Sequence, residues 1–224
     1  MQHTAPAKFV EALQGSGCWE EEWGFVIYRA TFEDDDAWEK FKETFHSLTE
    51  ETFSDALRTY SNQDEMRVAQ RFWKCRFIDD RALEGKDIEK IREHYEALRG
   101  ELTWGLQLGI CLVATKDVLD SVKNYPPLSD DTGRSTTRNH PFVKVLYRSS
   151  LVDDVWLDEE TDEQSGYLIH DSPKLFNAAI YGLIDELFPI VARADVATDK
   201  LDPGDDKKVW VAAGWEQDIA GGSG

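Results

Sequence analysis

The amino-acid sequence predicts an α+β fold in which helices pack on one face of a small four-stranded sheet, in a ferredoxin-like arrangement. Two observations favour this fold. Four segments rich in β-branched and aromatic residues alternate with segments whose apolar residues recur every three or four positions. Hydrophobic residues make up 41% of the 224-residue chain, enough for one sizeable core without disulfides or a structural metal. A doubly wound α/β sheet is the alternative, because strand order does not follow from the sequence.

The predicted strands and helices alternate over the first two thirds of the chain. The first helix follows an acidic run and places Trp38, Phe41 and Phe45 on one face. A second helix begins near Asp87 and is closed by Gly100, and a short third helix spans about residues 116–123. The predicted strands are residues 25–32, 72–78, 106–115 and 142–148.

The C-terminal third carries a different pattern. Ser172 as N-cap and Pro173 at the first helical position predict a helix over about residues 172–190. The predicted organisation is therefore one α+β domain with a sheet core, an acidic loop, this helix and two flanking segments. The N-terminal extension covers residues 1–22, the domain covers 23–195 and the tail covers 196–224. Within the domain, the sheet core is 23–150 and the acidic loop is 151–166, and the helix follows them.

Charge is the strongest global signal in the sequence. Twenty-five Lys and Arg face 44 Asp and Glu, which gives a formal net charge of -19. Such a surface repels nucleic-acid phosphates and anionic lipid heads, and it attracts a basic protein or peptide. The simpler interpretation is that the charge only maintains solubility. The absence of a signal peptide and of a long apolar run predicts a cytoplasmic location.

Charged residues near the ends of two predicted strands are the first candidates for chemistry. Asp79 and Asp80 directly follow the second strand, where a rigid sheet positions carboxylates for acid–base work. Arg29 lies in the first strand, on the face that Phe25 and Ile27 share if side chains alternate. A charge among core residues needs a partner, so Arg29 is expected to form an ion pair with one of these two aspartates. An anion-binding guanidinium exposed in a cleft is the alternative.

A second acidic group lies further along the chain. Asp153, Asp154 and Asp158 supply oxygen ligands of the kind that divalent cations prefer, although the spacing excludes an EF-hand. A solvated loop is the alternative, and no other cofactor is predicted. Trp156 beside these acids is a candidate partner-binding residue. His170 precedes the predicted C-terminal helix and is the histidine ranked first as a proton carrier.

Known catalytic signatures are missing from the sequence. Neither a dinucleotide-binding glycine motif, a Walker A loop, a nucleophile elbow nor a kinase signature is present, which disfavours these classes of enzyme. Three segments, WGFVIYRATFEDDDAWEKF, RFWKCRFIDDRALEG and LGICLVAT, resemble an uncharacterised fungal protein family with a W-G-F-V-x-Y-R-x-T strand motif. The resemblance covers about residues 23–148. It implies a fungal source and an α+β domain, and it transfers no catalytic residue.

Two functional hypotheses follow from these observations. The first is an intracellular domain without catalytic activity that binds a basic protein or peptide through an acidic surface with exposed aromatic side chains. The second is a small-molecule enzyme, compatible with fungal specialised metabolism, that uses the carboxylates at the strand ends and Arg29. A flat acidic face with an exposed aromatic ring favours the first, and a deep apolar pocket with convergent carboxylates favours the second.

Overall fold

The computed structural model describes residues 6–123, 125, 140–152, 169–192, 208–210 and 217–218. The strands in these residues are β1 (Trp23–Arg29), β2 (Trp73–Ile78), β3 (Ile110–Ala114), β4 (Phe142–Val152), β5 (Ile169–Ala179), β6 (Lys208–Trp210) and β7 (Gln217–Asp218). The α-helices are α1 (Lys8–Ser16), α2 (Asp35–Thr59), α3 (Gln63–Phe72), α4 (Ile88–Arg99), α5 (Lys116–Lys123) and α6 (Phe188–Val191).

The strands form one mixed sheet in the order β2-β1-β3-β4-β5-β6-β7. β1 pairs in parallel with both β2 and β3, whereas β4 is antiparallel to β3 and to β5. β6 is parallel to β5, and β7 is antiparallel to β6. The α+β class predicted from the sequence is therefore confirmed. The four-stranded ferredoxin-like arrangement is not confirmed, because the described residues form a sheet of seven strands.

Helices cover both faces of the sheet rather than the single face expected. Phe25 and Ile27 of β1 point into the main core with α1, α2 and α5. Val26 and Tyr28 point into a smaller core that contains Ile91 and Tyr95 of α4. Burial on both faces explains why β1 is a continuous apolar run and not an alternating one. α4 is thus the helix that departs from the predicted one-sided packing.

Two of the helices, α2 and α4, begin with an aspartate side-chain cap close to where the sequence predicts a helix start. The Asp34 carboxylate accepts a hydrogen bond from the Ala37 amide at 2.8 Å, and Asp87 accepts one from the Lys90 amide at 3.0 Å. These caps satisfy amides that have no partner inside the helix. The predicted apolar face of α2 is buried, with Trp38 and Phe41 at most 1% exposed. The helical periodicity was therefore a reliable guide in this part of the chain.

The helix predicted over residues 172–190 is wrong. Residues 169–179 form β5, which pairs with β4 along its whole length and places Pro173 opposite Arg148. A 3-10 turn (Ile180–Gly182), a π-helical turn (Leu183–Leu187) and α6 follow it. A short apolar run does not distinguish a buried strand from a helix, and pairing with a distant strand overrode the local Ser-Pro signal.

The segments assigned to the two ends of the chain contribute to the same structure. α1 buries Phe9, Val10 and Leu13 in the main core, and the ring of Phe9 stacks on Trp23 at 5.8 Å. Near the other end, β6 adds Val209 to that core. None of the helices in the described ranges combines the length and apolarity needed to cross a membrane.

Candidate functional site

The carboxyl ends of β1, β2 and β3 meet at one edge of the sheet, which we call the carboxyl edge. The helices that follow β1 and β2 pack on opposite faces, so the connections diverge at β1, which lies between β2 and β3. In α/β sheets, ligands bind at the position where the connections diverge in this way. The carboxyl edge is therefore where the candidate residues Arg29, Asp79 and Asp80 have to be assessed.

Arg29 is buried at this edge and surrounded by partners. Its side chain is only 4% exposed, and its guanidinium contacts the Asp79 carboxylate at 3.4 Å. A closer contact, at 2.5 Å, joins it to Asp35 at the start of α2. Its Nε donates to the Thr31 carbonyl at 2.9 Å, and the guanidinium lies 4.4 Å from the centre of the Phe32 ring. The ion pair with Asp79 expected from the sequence is present, and Asp35 is a second partner that sequence reasoning missed.

Asp80 does not share in this ion pair. Its carboxylate caps the turn at Arg81–Leu83 by accepting a hydrogen bond from the Ala82 amide at 2.9 Å. This is the usual role of an aspartate that follows a strand. Of the three residues proposed for catalysis at this edge, the structure therefore brings together Arg29 and Asp79 and leaves Asp80 apart from them.

Asp34 and Asp35, at the start of α2, are held in the ionised form. Hydrogen bonds from the Ala37 amide and Lys123 lower the pKa of Asp34, and a hydrogen bond from Arg29 lowers the pKa of Asp35. Neither carboxyl can donate a proton near neutral pH. Asp34 also fills the helix N-terminus, the position at which a phosphate would otherwise bind. This end of α2 is unsuited to an anionic substrate.

Ion pairs also bridge the loops that follow β1 and β3. Lys116 contacts Glu33 at 2.8 Å, and Lys123 contacts Asp34 at 3.3 Å. On the neighbouring strand, Lys144 of β4 contacts Asp117 at 2.9 Å. Each charge in this arrangement is neutralised by a partner from another element. The ion pairs at the carboxyl edge therefore form a network that links β1, α2, α5 and β4. This favours a structural ion pair over an anion-binding role for Arg29.

The remaining predicted site residues fall elsewhere. Asp153, Asp154, Asp158 and Trp156 lie outside the described residues. His170 lies within β5, opposite Leu151 in β4, and so it does not precede a helix as predicted. Among the residues that the structure describes, no group of three or more His, Cys, Asp or Glu side chains is arranged to hold a metal ion.

Trp104 is a feature that sequence reasoning missed. Its side chain is 72% exposed, and it is the one large hydrophobic side chain in the described ranges that is exposed to this degree. The surrounding sequence, LTWGL, gives no indication of this, because Trp104 stands between two leucines that are both buried. The apolar residues of that segment instead predict a ring that is buried in the core. An exposed aromatic ring is typical of a protein-binding surface.

Asp185 is a second feature without a sequence signal. It lies half-buried in the π-helical turn, and its Oδ1 atom has no hydrogen-bond partner in the described structure. Burial, reinforced by the neighbouring charge of Glu186, raises the pKa of Asp185 from 3.8 to about 6. The protonated form is therefore favoured in the folded chain relative to the unfolded chain.

Replacing Asp185 with asparagine is expected to stabilise the fold at neutral pH. Because the folded-state pKa is raised, stability falls as the pH rises from about 4 to about 6, and the destabilisation is complete above that range. Asp185→Asn removes the cost of burying this ionised carboxylate, so the free energy of unfolding at pH 7.5 should increase by about 2 kcal/mol. Urea unfolding measured between about pH 4 and pH 8 tests this. A gain that is equally large at pH 4 would contradict the assigned cause.

The chain was compared with protein-family models, with curated proteins and with solved structures, and no match was found in any of the three. The resemblance to a fungal family and the cytoplasmic location therefore stay predictions.

Proposed function

We propose that this chain is a binding domain that takes a basic protein or basic peptide segment on an acidic surface. The observation that carries the proposal is Trp104, which presents an indole ring at 72% exposure on a chain with a net charge of -19. Aromatic rings are the residues most often found at the energetic centre of protein interfaces. A surface rich in carboxylates steers a positively charged partner towards such a ring.

The carboxyl edge supports this proposal over an enzyme. Arg29 is buried and ion-paired, and Asp34 and Asp35 are ionised and hydrogen-bonded. A general acid needs a pKa near the working pH, and an anion-binding arginine needs exposure to the ligand. Asp34 and Asp35 do not meet the first condition and Arg29 does not meet the second, whereas the exposed ring of Trp104 meets the requirement for a binding surface.

Binding of the chain to a labelled hexa-arginine peptide tests the proposal, with hexa-glutamate as the control probe. We expect fluorescence anisotropy to show binding of the basic peptide and none of the acidic one. Because carboxylate–guanidinium attraction is screened, affinity should fall by about tenfold or more between about 50 mM and about 500 mM NaCl. No binding at low salt, or binding that is insensitive to salt, would contradict the proposal.

A further inference from the structure

The turn that carries Trp104 is hydrogen-bonded, although the ring itself is in solvent. The Leu106 amide donates to the Thr103 carbonyl at 2.9 Å, and the Gln107 amide donates to the Trp104 carbonyl at 3.1 Å. Leu102 and Leu106, on either side of the turn, are 7% and 5% exposed and anchor it in the smaller core. The ring is thus carried by a hydrogen-bonded turn whose flanking leucines are buried.

The turn that carries Trp104 lies against the acidic segment Glu20–Glu22. The Thr103 hydroxyl donates to the Glu22 carbonyl at 2.9 Å, and the Gly24 amide donates to the Gly105 carbonyl at 3.1 Å. Gly105 also forms a bridge with Trp23 at the start of β1. The residues on both sides of Trp104 are therefore fastened to the chain that immediately follows the three glutamates.

Carboxylates outnumber cations around the turn that carries Trp104, where Arg99, itself paired with Glu96, donates to the Gln107 carbonyl at 3.2 Å. Glu20, Glu21 and Glu22 are all exposed, and so is Glu101 two residues before the turn. In the part of the chain that the structure describes, the cation paired with this group is Lys74, at 3.9 Å from Glu22. Three carboxylates are thus left for a cationic partner. A second copy of this chain would bring a further net charge of -19 and would be repelled.

We infer that Trp104 and Glu20–Glu22 form a docking surface for an arginine-containing segment of a partner protein, with a guanidinium placed over the indole ring. This inference rests on the proposed function and locates the binding surface on the protein. Tryptophan is the aromatic side chain that binds cations best, and arginine is the cation found most often on it. The planar guanidinium stacks on the ring while its N–H groups donate to neighbouring carboxylates.

Four variants locate the binding of the hexa-arginine peptide. Trp104→Ala should weaken binding by about five- to tenfold at about 100 mM NaCl, and Trp104→Phe should weaken it less, because phenylalanine keeps a ring. The triple variant Glu20→Gln, Glu21→Gln, Glu22→Gln should weaken binding by a similar factor. The control triple variant Glu43→Gln, Glu51→Gln, Glu84→Gln changes the same number of exposed charges away from Trp104 and should weaken binding by less than about twofold.

These measurements distinguish a failure of the proposed docking surface from a failure of the proposed binding function. If the unaltered chain binds the peptide in a salt-dependent way and Trp104→Ala binds equally well, the docking surface is overturned and the binding function stands. If both triple variants weaken binding equally, general charge is responsible and the docking surface is again overturned. If sedimentation shows a dimer that Trp104→Ala dissociates, the ring is a self-association contact, and the inference is overturned. Circular dichroism checks that each variant folds.

Discussion

Substituting alanine for Gly24 is expected to destabilise the fold by about 3 kcal/mol or more, because the backbone there excludes any side chain. Gly24 lies in β1 with φ at +141°, a region in which residues with a Cβ are strained. A Cβ at this position would lie 2.0 Å from the Lys74 carbonyl oxygen of β2. Since that oxygen belongs to a paired strand, relief requires β1 and β2 to separate.

Gly15→Ala is the matched control for this change. Gly15 lies in α1, and a Cβ there would meet no atom within 4 Å. Alanine is favoured over glycine inside a helix, so this variant should be more stable by up to about 1 kcal/mol. Urea unfolding should show a lower free energy of unfolding than that of the unaltered chain for Gly24→Ala and a higher one for Gly15→Ala. A Gly24→Ala midpoint equal to that of the unaltered chain would show that the close approach of β1 to Lys74 is not as described.

The second large effect is expected from Arg29→Ala. The substitution removes a side chain that is only 4% exposed, leaves space beside Phe32, and deprives Asp35 and Asp79 of their shared guanidinium. Loss of packing around a buried side chain destabilises a fold by about 3 kcal/mol. Because Asp35 and Asp79 are 67% and 48% exposed, their ion pairs with Arg29 add little to this loss. Arg29→Lys keeps the charge but not the planar contacts, so its free energy of unfolding should lie between those of Arg29→Ala and the unaltered chain.

The pH dependence of this loss identifies its cause. Arg29 lowers the pKa of Asp35, so the stabilisation from this contact is present above the ordinary aspartate pKa and is lost as the pH falls through the lower folded-state value. The difference between Arg29→Ala and the unaltered chain should therefore shrink on acidification in urea titrations. If Arg29→Ala unfolds at the same urea concentration as the unaltered chain but loses affinity for hexa-arginine, the structural role assigned to Arg29 is wrong.

Local signals predicted the structure where the interacting residues are close in sequence. α4 begins next to Asp87, as predicted, and the Asp87 cap that starts it involves residues only three positions apart. The bounds of β2 and α5 also follow the predictions closely. The pairing of Arg29 with Asp79 was predictable for a different reason. A charge on a core-facing strand position requires a partner, and few candidates were placed to supply one.

The sequence by itself thus determined the α+β class, the strong negative charge and the starts of α2 and α4, because composition, periodicity and capping are local properties. Tertiary structure alone decided that residues 169–179 form a strand, since pairing with β4 joins segments that no local pattern connects. It also decided that Trp104 faces solvent and that Asp185 is half-buried. Exposure depends on which distant elements cover a residue, and two leucines beside a tryptophan do not reveal it.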